Sequence, residues 1–255
     1  MKISAVFSDY DGTLSQLESR REAAVLSPIL RRLLIKVSKH VTLGIVSTKD
    51  LSFIRERVPF AHGISASCGL EMQVGEKMLL DERVREPHKR LETAYQESLK
   101  MVLQARDNLV IERKESDDEH LVSFCVDWRM ARNWDEAKRI AAPLLDHIRK
   151  QGLYVVESDA SPFANVFPMK IDKGEAFEDL RKELGSQGPI MYLGDSEADD
   201  PAFRLAEVSV GVKHSRVMPE LQCQYRIEFF ELENLLTELI DADFYFKDTM
   251  ATKNT

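Results

Sequence analysis

The sequence predicts an α/β fold, in which a doubly wound parallel sheet is interrupted by an inserted α+β domain. Apolar runs that end in polar residues recur along the chain, as buried parallel strands do, at Lys2–Ser8, Val41–Val46 and Pro189–Gly194. Amphipathic helical patterns follow these runs. The middle of the chain differs, because each helical pattern there is followed by two strand patterns.

Residues 1–82 and 169–255 form the predicted parallel-sheet domain. Strand and helix patterns alternate along both segments, which is typical of a doubly wound sheet. The predicted helices have apolar residues three and four positions apart, at Arg20–Lys39, Asp50–Arg57, Lys173–Leu184 and Glu231–Ile240.

Residues 83–168 form the predicted inserted domain. Its elements are, in order, a helix at Pro87–Ala105, strands at Leu109–Lys114 and Leu121–Trp128, a helix at Trp134–Lys150, and strands at Leu153–Glu157 and Ala164–Phe167. A polar turn at residues 116–119 joins the first two strands. This repeated order of one helix and two strands indicates a small α+β domain on an antiparallel sheet.

The first predicted strand ends in two carboxylates, Asp9 and Asp11, which are separated by one residue. Charges at the end of a buried strand are costly unless a partner binds them. Open α/β sheets bind ligands at the carboxyl ends of their strands, and a hard cation with oxygen ligands is the natural partner there. The pair therefore predicts a site for Mg²⁺, an ion that proteins commonly bind together with a phosphate group of the substrate.

Three further polar clusters follow a predicted strand or begin a predicted helix. Carboxylates, hydroxyls and a lysine at one edge of a sheet are the groups that phosphoryl transfer needs. The clusters are Ser47-Thr48-Lys49 after the strand at Val41–Val46, Lys173 at the start of its helix, and Asp195 with Asp199 after the strand at Pro189–Gly194.

These motifs resemble those of phosphatases of the haloacid dehalogenase (HAD) superfamily. There, an Asp-x-Asp-x-Thr motif is followed by Ser or Thr after a strand, then by Lys, and then by Gly-Asp with a second acid four residues later. This chain has the four motifs in that order, as Asp9-Tyr10-Asp11-Gly12-Thr13, Ser47, Lys173, and Gly194-Asp195 with Asp199.

The resemblance implies a role for each of these residues. Asp9 is the expected nucleophile, which forms an aspartyl-phosphate, and Asp11 is the expected general acid and base. Ser47 and Lys173 are expected to bind phosphoryl oxygens. The expected residues of the Mg²⁺ site are Asp9, Asp11 through its carbonyl oxygen, Asp195 and Asp199. Of these, Asp199 is expected to anchor a metal-bound water or Lys173.

Each motif taken alone has another explanation. Asp-x-Asp-Gly also occurs in turns and calcium loops, although Arg20 occupies the position where such a loop needs a glutamate. Ser47 and Thr48 also fit a helix N-cap, and Lys173 fits an exposed surface lysine. The enzymatic interpretation depends on the motifs occurring together.

The inserted domain resembles the large cap of one branch of this superfamily, which closes over the substrate and selects its leaving group. Within that branch the chain is most similar to the trehalose-6-phosphate phosphatase family. The resemblance is carried by Gly69-Leu70-Glu71, Glu112-Arg113-Lys114, Trp128-Arg129 and Pro168. It predicts substrate contacts for Thr48, Lys49, Glu71, Glu112, Lys114, Arg129 and Asn165.

Several departures from the family pattern fall on sugar-reading positions. Asn165 replaces a glutamate, Cys68 replaces a histidine, and Thr48-Lys49 replace an expected arginine, while the last motif has Ser196 and Ala198 where Asp and Thr are usual. The resemblance predicts a small sugar phosphate similar to trehalose 6-phosphate as the substrate. Because of these departures, sucrose phosphate and glycosyl phosphoglycerates remain as alternatives. A phosphosugar mutase and a non-catalytic phosphosugar sensor also remain, and Glu112 and Lys114 equally fit exposed charges on a strand.

Composition limits the partners. The net charge of −8 argues against a nucleic-acid partner. No run approaches the roughly 18 apolar residues of a membrane span, and Asp9 interrupts the first apolar run, so neither a membrane segment nor a signal peptide is predicted. Cys68, Cys125 and Cys223 are not closely spaced and are predicted to be reduced. We expect a cytoplasmic enzyme, a monomer or small homo-oligomer, with a disordered tail at Ala251–Thr255.

Overall fold

The computed structural model describes residues 1–16, 21–84, 88–105, 109–116, 118–157, 162–213 and 220–254. The predicted element ends at Arg20, Pro87 and Thr255 lie outside these ranges, as does Asp117 of the predicted turn. The strands are β1 (Ala5–Ser8), β2 (Thr42–Val46), β3 (Gly63–Ala66), β4 (Glu71–Val74), β5 (Lys77–Leu80), β6 (Val110–Glu115), β7 (Leu121–Asp127), β8 (Tyr154–Glu157), β9 (Phe163–Phe167), β10 (Ile190–Gly194), β11 (Val208–Lys213), β12 (Tyr225–Glu228) and β13 (Thr252–Lys253). The helices are α1 (Pro28–Ser38), α2 (Leu51–Arg57), α3 (His88–Ala105), α4 (Trp134–Lys150), α5 (Lys173–Glu183), α6 (Asp200–Phe203) and α7 (Leu232–Asp241).

The chain divides into two compact domains. The core domain comprises Met1–Leu79 and Asp172–Thr255, and the inserted domain comprises Leu80–Ile171. The junctions thus follow residues 79 and 171, whereas the sequence analysis drew them after residues 82 and 168.

The core domain contains a nine-stranded sheet in the order β13-β12-β11-β10-β1-β2-β3-β4-β5. Its six central strands, from β12 to β3, are parallel to their neighbours. At the two sides, β4 pairs antiparallel with β3, and β13 pairs antiparallel with β12. The predicted parallel α/β sheet is confirmed, and antiparallel strands that the sequence analysis did not identify extend it.

Side chains along each buried strand point alternately to the two faces of the sheet, so both faces are apolar. Helices cover both faces. Val6 points to the face covered by α1, α2 and α7, and its neighbours Ala5 and Phe7 point to the face covered by α5 and α6. Gly44 on β2 gives the Phe7 ring room, since a Cβ there would lie 2.6 Å from that ring. The doubly wound arrangement brings the carboxyl ends of β10, β1, β2 and β3 to one edge of the sheet.

Helix α1 begins later than predicted. The side chain of Ser27 caps it by accepting a hydrogen bond from the Leu30 amide at 3.0 Å, and Pro28 occupies the first turn, where its missing N–H costs nothing. Residues 24–27 are not helical, and the described residues directly before them, Arg21–Ala23, form a short 3₁₀ turn. The prediction of one continuous helix was therefore wrong at its amino-terminal end.

Residues 251–254 of the carboxyl-terminal tail are ordered, in contrast to the prediction of disorder. Thr252 and Lys253 form β13, and Asn254 donates side-chain hydrogen bonds of 2.9 Å to the carbonyls of Leu221 and Cys223. These partners are some thirty residues away in sequence, so local composition gave no signal of them.

The inserted domain contains a four-stranded antiparallel sheet in the order β6-β7-β9-β8. One face packs against α3 and α4 through a cluster that includes Phe124, Val126, Val166, Leu91 and Leu145. This α+β architecture on an antiparallel sheet is as predicted. None of the described helices of either domain is long and apolar enough to cross a membrane.

Candidate active site

Asp9 lies at the carboxyl end of β1, directly after the strand. Its amide donates a 2.9 Å hydrogen bond to the carbonyl of Leu193 on the neighbouring strand β10, so the parallel ladder continues into the site. The chain then turns tightly, because the amides of Leu14 and Ser15 both donate to the carbonyl of Tyr10. This turn leaves Asp11 half-buried while Asp9 is only 5% exposed.

Asp9, Asp195 and Asp199 form a compact acidic cluster, although they come from opposite ends of the chain. One carboxylate oxygen from each lies within 4.8 Å of the others, and all three side chains are buried. The cluster forms because β1 and β10 are parallel neighbours in register, with Ser8 opposite Leu193. The two sequence motifs therefore meet at the edge of the sheet where they were predicted to meet.

Lys173 contacts two members of this cluster. Its Nζ lies 2.9 Å from Asp9 Oδ2 and 2.7 Å from Asp199 Oδ1, and the residue is 2% exposed. Lys173 begins α5, whose N-cap is Asp172, which accepts a 2.8 Å hydrogen bond from the Glu175 amide. The capped helix start fixes the lysine stem in place, so Lys173 is not an exposed surface lysine.

Asp199 is held by a dense set of donors. Besides Lys173, it accepts from the Tyr192 hydroxyl at 2.9 Å, from the amides of Asp195 and Ser196 at 3.2 and 3.1 Å, and from the Ser196 hydroxyl at 3.0 Å. Each carboxylate oxygen thus has at least two partners. Asp199 is fully buried and orients both Lys173 and the backbone that carries Asp195.

Two motif glycines permit the close approach of these carboxylates. Gly12 has a φ of +78°, and a Cβ there would lie 2.1 Å from Asp195 Oδ2. A Cβ at Gly194 would lie 2.5 Å from Asp199 Cγ. Any larger residue at either position would have to displace a carboxylate of the cluster.

The electrostatics of the cluster reflect crowded negative charge. Burial raises the pKa of Asp9 well above its usual value, and the charges of Asp199 and Asp195 add to this effect against the opposing influence of Lys173. Burial alone lowers the pKa of Lys173, but the charges of Asp199 and Asp9 outweigh it and raise that pKa. Burial, followed by the charge of Asp199, also raises the pKa of Tyr192 well above its ordinary value.

These residues fit a divalent cation. Three buried carboxylates face one buried ammonium group, so the cluster carries excess negative charge that a cation would offset. All three members of the cluster are Asp carboxylates, whose oxygen atoms are the ligands that Mg²⁺ prefers. Thr13 supports the arrangement by donating to Asp195 Oδ1 at 3.4 Å.

Ser47, Thr48 and Lys49 follow β2, at the same edge of the sheet. Ser47 is buried, and its hydroxyl accepts a 3.2 Å hydrogen bond from the Lys49 amide, while Thr48 is half-buried. Lys49 Nζ lies 3.4 Å from Asp11 Oδ2. Asp50 caps α2 by accepting from the Phe53 amide at 3.0 Å, so the N-cap function falls to Asp50 and not to Ser47 or Thr48.

Glu71 is the remaining predicted site residue of the core domain. It is the first residue of β4, pairs with Ala66 on β3 and is 3% exposed. The preceding turn is unusual, because Ser67, Cys68 and Gly69 all have positive φ values. Such a sharp reversal explains how Glu71 enters a strand antiparallel to β3 after only a few residues.

The predicted site residues of the inserted domain form two groups. Lys114, which is 2% exposed, donates a 2.7 Å hydrogen bond to Asn165 Oδ1, so it is not an exposed charge on a strand. Arg129 Nε donates to Asp127 Oδ2 at 2.8 Å, and its Nη2 lies 3.6 Å from Glu112 Oε2. Lys114 and Glu112 share one strand, two residues apart, and so lie on the same face of the sheet.

Three residues in these networks were missed by the sequence analysis. Tyr192 lies within an apolar strand and gave no signal. Ser196 stands three residues before Asp199, which is the spacing of a capping box and could have been used to find it. Asp127 stands two residues before Arg129 at the end of a strand, a pairing that would also have identified it.

Comparisons with known proteins identify the family. The family described as Trehalose-phosphatase matches residues 7–226. A relative from Arabidopsis thaliana, named "Probable trehalose-phosphate phosphatase H", is 26% identical over 243 residues, covering 88% of this chain and 67% of the relative. Phosphoglycolate phosphatase 2 from Saccharolobus solfataricus is 24% identical over 233 residues, covering 91% of this chain and 85% of the relative.

Solved structures share the fold. A trehalose-6-phosphate phosphatase related protein has a TM-score of 0.75 at 16% identity, covering 94% of this chain and 98% of that protein. The solved structure of a sugar phosphatase of HAD subclass IIB matches this chain with a TM-score of 0.61 at 13% identity. The match covers 95% of this chain and 100% of that protein. Because the family match spans residues 7–226, which contain the positions of all four motifs, the chain belongs to the trehalose-phosphatase family and is a phosphoric monoester hydrolase.

Proposed function

We propose that the protein is a Mg²⁺-dependent phosphatase that hydrolyses a small sugar phosphate similar to trehalose 6-phosphate. The observation that carries this proposal is the placement of Asp9 at the end of β1, within 2.9 Å of Lys173 and beside Asp195 and Asp199. Buried ionisable residues in strongly charged surroundings are concentrated at functional sites, so the surroundings of Asp9 support its role as the nucleophile.

In the first step, Asp9 Oδ attacks phosphorus, and the bond from phosphorus to the sugar oxygen breaks. Asp11 gives a proton to that oxygen, so the sugar leaves as a neutral alcohol. Lys173 and Ser47 donate to the phosphoryl oxygens as negative charge collects on them. The product of this step is an aspartyl-phosphate on Asp9.

In the second step, water attacks the aspartyl-phosphate, and Asp11 accepts its proton as general base. Inorganic phosphate leaves and Asp9 is regenerated. Asp9, the Asp11 carbonyl and Asp195 would hold Mg²⁺, which when bound offsets the negative charges that meet in both steps. Asp199 keeps Lys173 and the Asp195 backbone in position throughout.

We assign substrate selection to the inserted domain. Buried Lys114 with Asn165, and half-buried Arg129 with Glu112, are polar groups of this domain that suit the hydroxyl groups of a sugar. Asn165 is neutral where the family resemblance predicts a glutamate. The proposal therefore names a sugar phosphate similar to trehalose 6-phosphate and does not specify trehalose as the sugar. The three cysteines are buried and form no disulfide with one another, which supports the further proposal that the enzyme acts on a cytoplasmic metabolite.

The test is release of inorganic phosphate from a panel of substrates, measured with and without Mg²⁺. The panel contains p-nitrophenyl phosphate, trehalose 6-phosphate, sucrose 6-phosphate, the glucosyl and mannosyl phosphoglycerates, and 2-phosphoglycolate, since one relative is named for the last. The proposal predicts Mg²⁺-dependent release, fastest with one of the sugar phosphates and absent in Asp9→Asn. Isomerisation without release would favour a mutase, and binding without turnover would favour a sensor.

A further inference from the structure

The carboxylate of Asp11 faces one donor on each of its oxygens. Oδ2 lies 3.4 Å from Lys49 Nζ, and Oδ1 lies 3.5 Å from the Ser15 hydroxyl. Ser15 belongs to the same tight turn as Asp11, whereas Lys49 comes from the loop after β2. Both contacts lie near the outer limit of hydrogen-bond distance, but the contact with Lys49 joins opposite charges, whose attraction falls slowly with distance, so Lys49 is the stronger of the two constraints.

Lys49 is itself held in place. It is 6% exposed, which is rare for a lysine without a structural or functional partner. Its carbonyl accepts a 2.7 Å hydrogen bond from the Ser67 amide, and its amide donates to Ser47 Oγ. Its ammonium group also lies 5.4 Å from the centre of the Phe53 ring. The backbone and the side chain are both constrained, so the ammonium presents a fixed charge to Asp11.

We propose that Lys49 is a positioning residue for Asp11, which holds the carboxyl group where it can reach the leaving-group oxygen. The proposal rests on the proposed function, because it uses the role of Asp11 as general acid. It differs from the substrate contact that the sequence predicts for Lys49. A substrate contact acts on the phosphoryl or sugar group, whereas a positioning role acts on proton delivery alone.

The two roles differ in their dependence on the leaving group. When the bond from phosphorus to oxygen breaks, an alkoxide needs the proton of Asp11, but a p-nitrophenolate is stable without it. A misplaced Asp11 therefore slows phosphoryl transfer from an alkyl phosphate and has little effect on transfer from p-nitrophenyl phosphate. Loss of a contact to the phosphoryl group slows transfer from both.

The experiment compares p-nitrophenyl phosphate with benzyl phosphate, which is similar in size but releases a primary alcohol. The kcat/KM of each is measured for the wild type, Lys49→Met, Lys49→Arg and the control Lys77→Met. Lys77 is exposed and pairs with Glu183 on the surface, so its loss removes a lysine ion pair away from the site. The quantity kcat/KM reports steps up to the first irreversible one, which excludes hydrolysis of the aspartyl-phosphate.

The expected result is a selective loss. Lys49→Met lowers kcat/KM for benzyl phosphate by on the order of 100-fold and leaves that for p-nitrophenyl phosphate within a few-fold. Lys49→Arg restores part of the lost activity, because it retains a cation and N–H donors. The ratio of the two kcat/KM values is independent of the active fraction, so partial unfolding of a variant does not affect it.

Equal losses with both substrates overturn the proposal and make Lys49 a ligand of the phosphoryl group. Unchanged activity with both also overturns it, since Asp11 then needs no help from Lys49. If the wild type releases no phosphate from either substrate, the proposed function itself fails, and that outcome is distinct from the two others.

Discussion

Replacing Gly12 with alanine tests whether Asp195 must approach the loop after β1. A Cβ at this position would lie 2.1 Å from Asp195 Oδ2, whereas ordinary van der Waals contact begins at 3.4 Å. The carboxylate must therefore move by roughly 1 Å, and a misplacement of about 1 Å lowers turnover by on the order of 100-fold. Because Asp195 is an expected Mg²⁺ ligand, the variant should also need a higher Mg²⁺ concentration for half-maximal activity.

The substitution has a second cost, which a matched variant isolates. Gly12 has a φ of +78°, and alanine in the left-handed region costs roughly 1–2 kcal/mol. Gly75 has a φ of +58° in the turn between β4 and β5, and a Cβ there would have no neighbour within 4 Å. Gly75→Ala therefore has a similar backbone cost without the clash.

Two measurements separate the effects. Urea unfolding should show that Gly75→Ala loses about 1–2 kcal/mol of unfolding free energy, and that Gly12→Ala loses at least as much. Hydrolysis of p-nitrophenyl phosphate at increasing Mg²⁺ concentrations should show that only Gly12→Ala loses turnover and metal affinity. If Gly12→Ala matches Gly75→Ala in turnover and in Mg²⁺ dependence, the close approach of Asp195 is not required, and the reasoning from this geometry is refuted.

Three further predictions concern the nucleophile, the inserted domain and the tail. Asp9→Asn should abolish turnover because it removes the nucleophile. It should not lower the unfolding midpoint measured in EDTA, because it removes one of three crowded buried carboxylates. A large fall in the midpoint would assign Asp9 to folding. Lys114→Met should lower kcat/KM for the preferred sugar phosphate by roughly 10- to 100-fold, as expected for loss of a charged hydrogen-bond donor, and should spare p-nitrophenyl phosphate; equal loss with both would contradict a role in selection. Asn254→Ala removes two 2.9 Å hydrogen bonds and should lower the unfolding free energy by about 1–3 kcal/mol, as urea unfolding can check, and no change would show that the tail is dispensable.

Most motif residues of the core domain could be predicted because each one follows or begins a recognisable element. Asp9, Ser47 and Asp195 come directly after apolar strands, and a parallel sheet brings such strand ends to one edge. Lys173 begins an amphipathic helix, which the spacing of apolar residues in the sequence also predicted. Local sequence and one general property of parallel sheets were sufficient for this part of the site.

The rest depends on contacts that local sequence does not encode. The antiparallel strand β4 requires positive φ values at Ser67 and Cys68, residue types that give no signal for them. The tail pairs with β12 through contacts with residues 221–226, far from it in sequence. Lys49 looked like a substrate ligand from its place after Ser47, and only the folded chain shows its ammonium beside Asp11.

The most direct test of the account is a crystal structure of the protein soaked with Mg²⁺ and beryllium trifluoride, a mimic of a phosphoryl group on a carboxylate. The account predicts that the beryllium is bonded to a carboxylate oxygen of Asp9, and that one Mg²⁺ is coordinated by both Asp9 and Asp195. A mimic bonded to another residue, or an ion bound without Asp9 and Asp195, would contradict it.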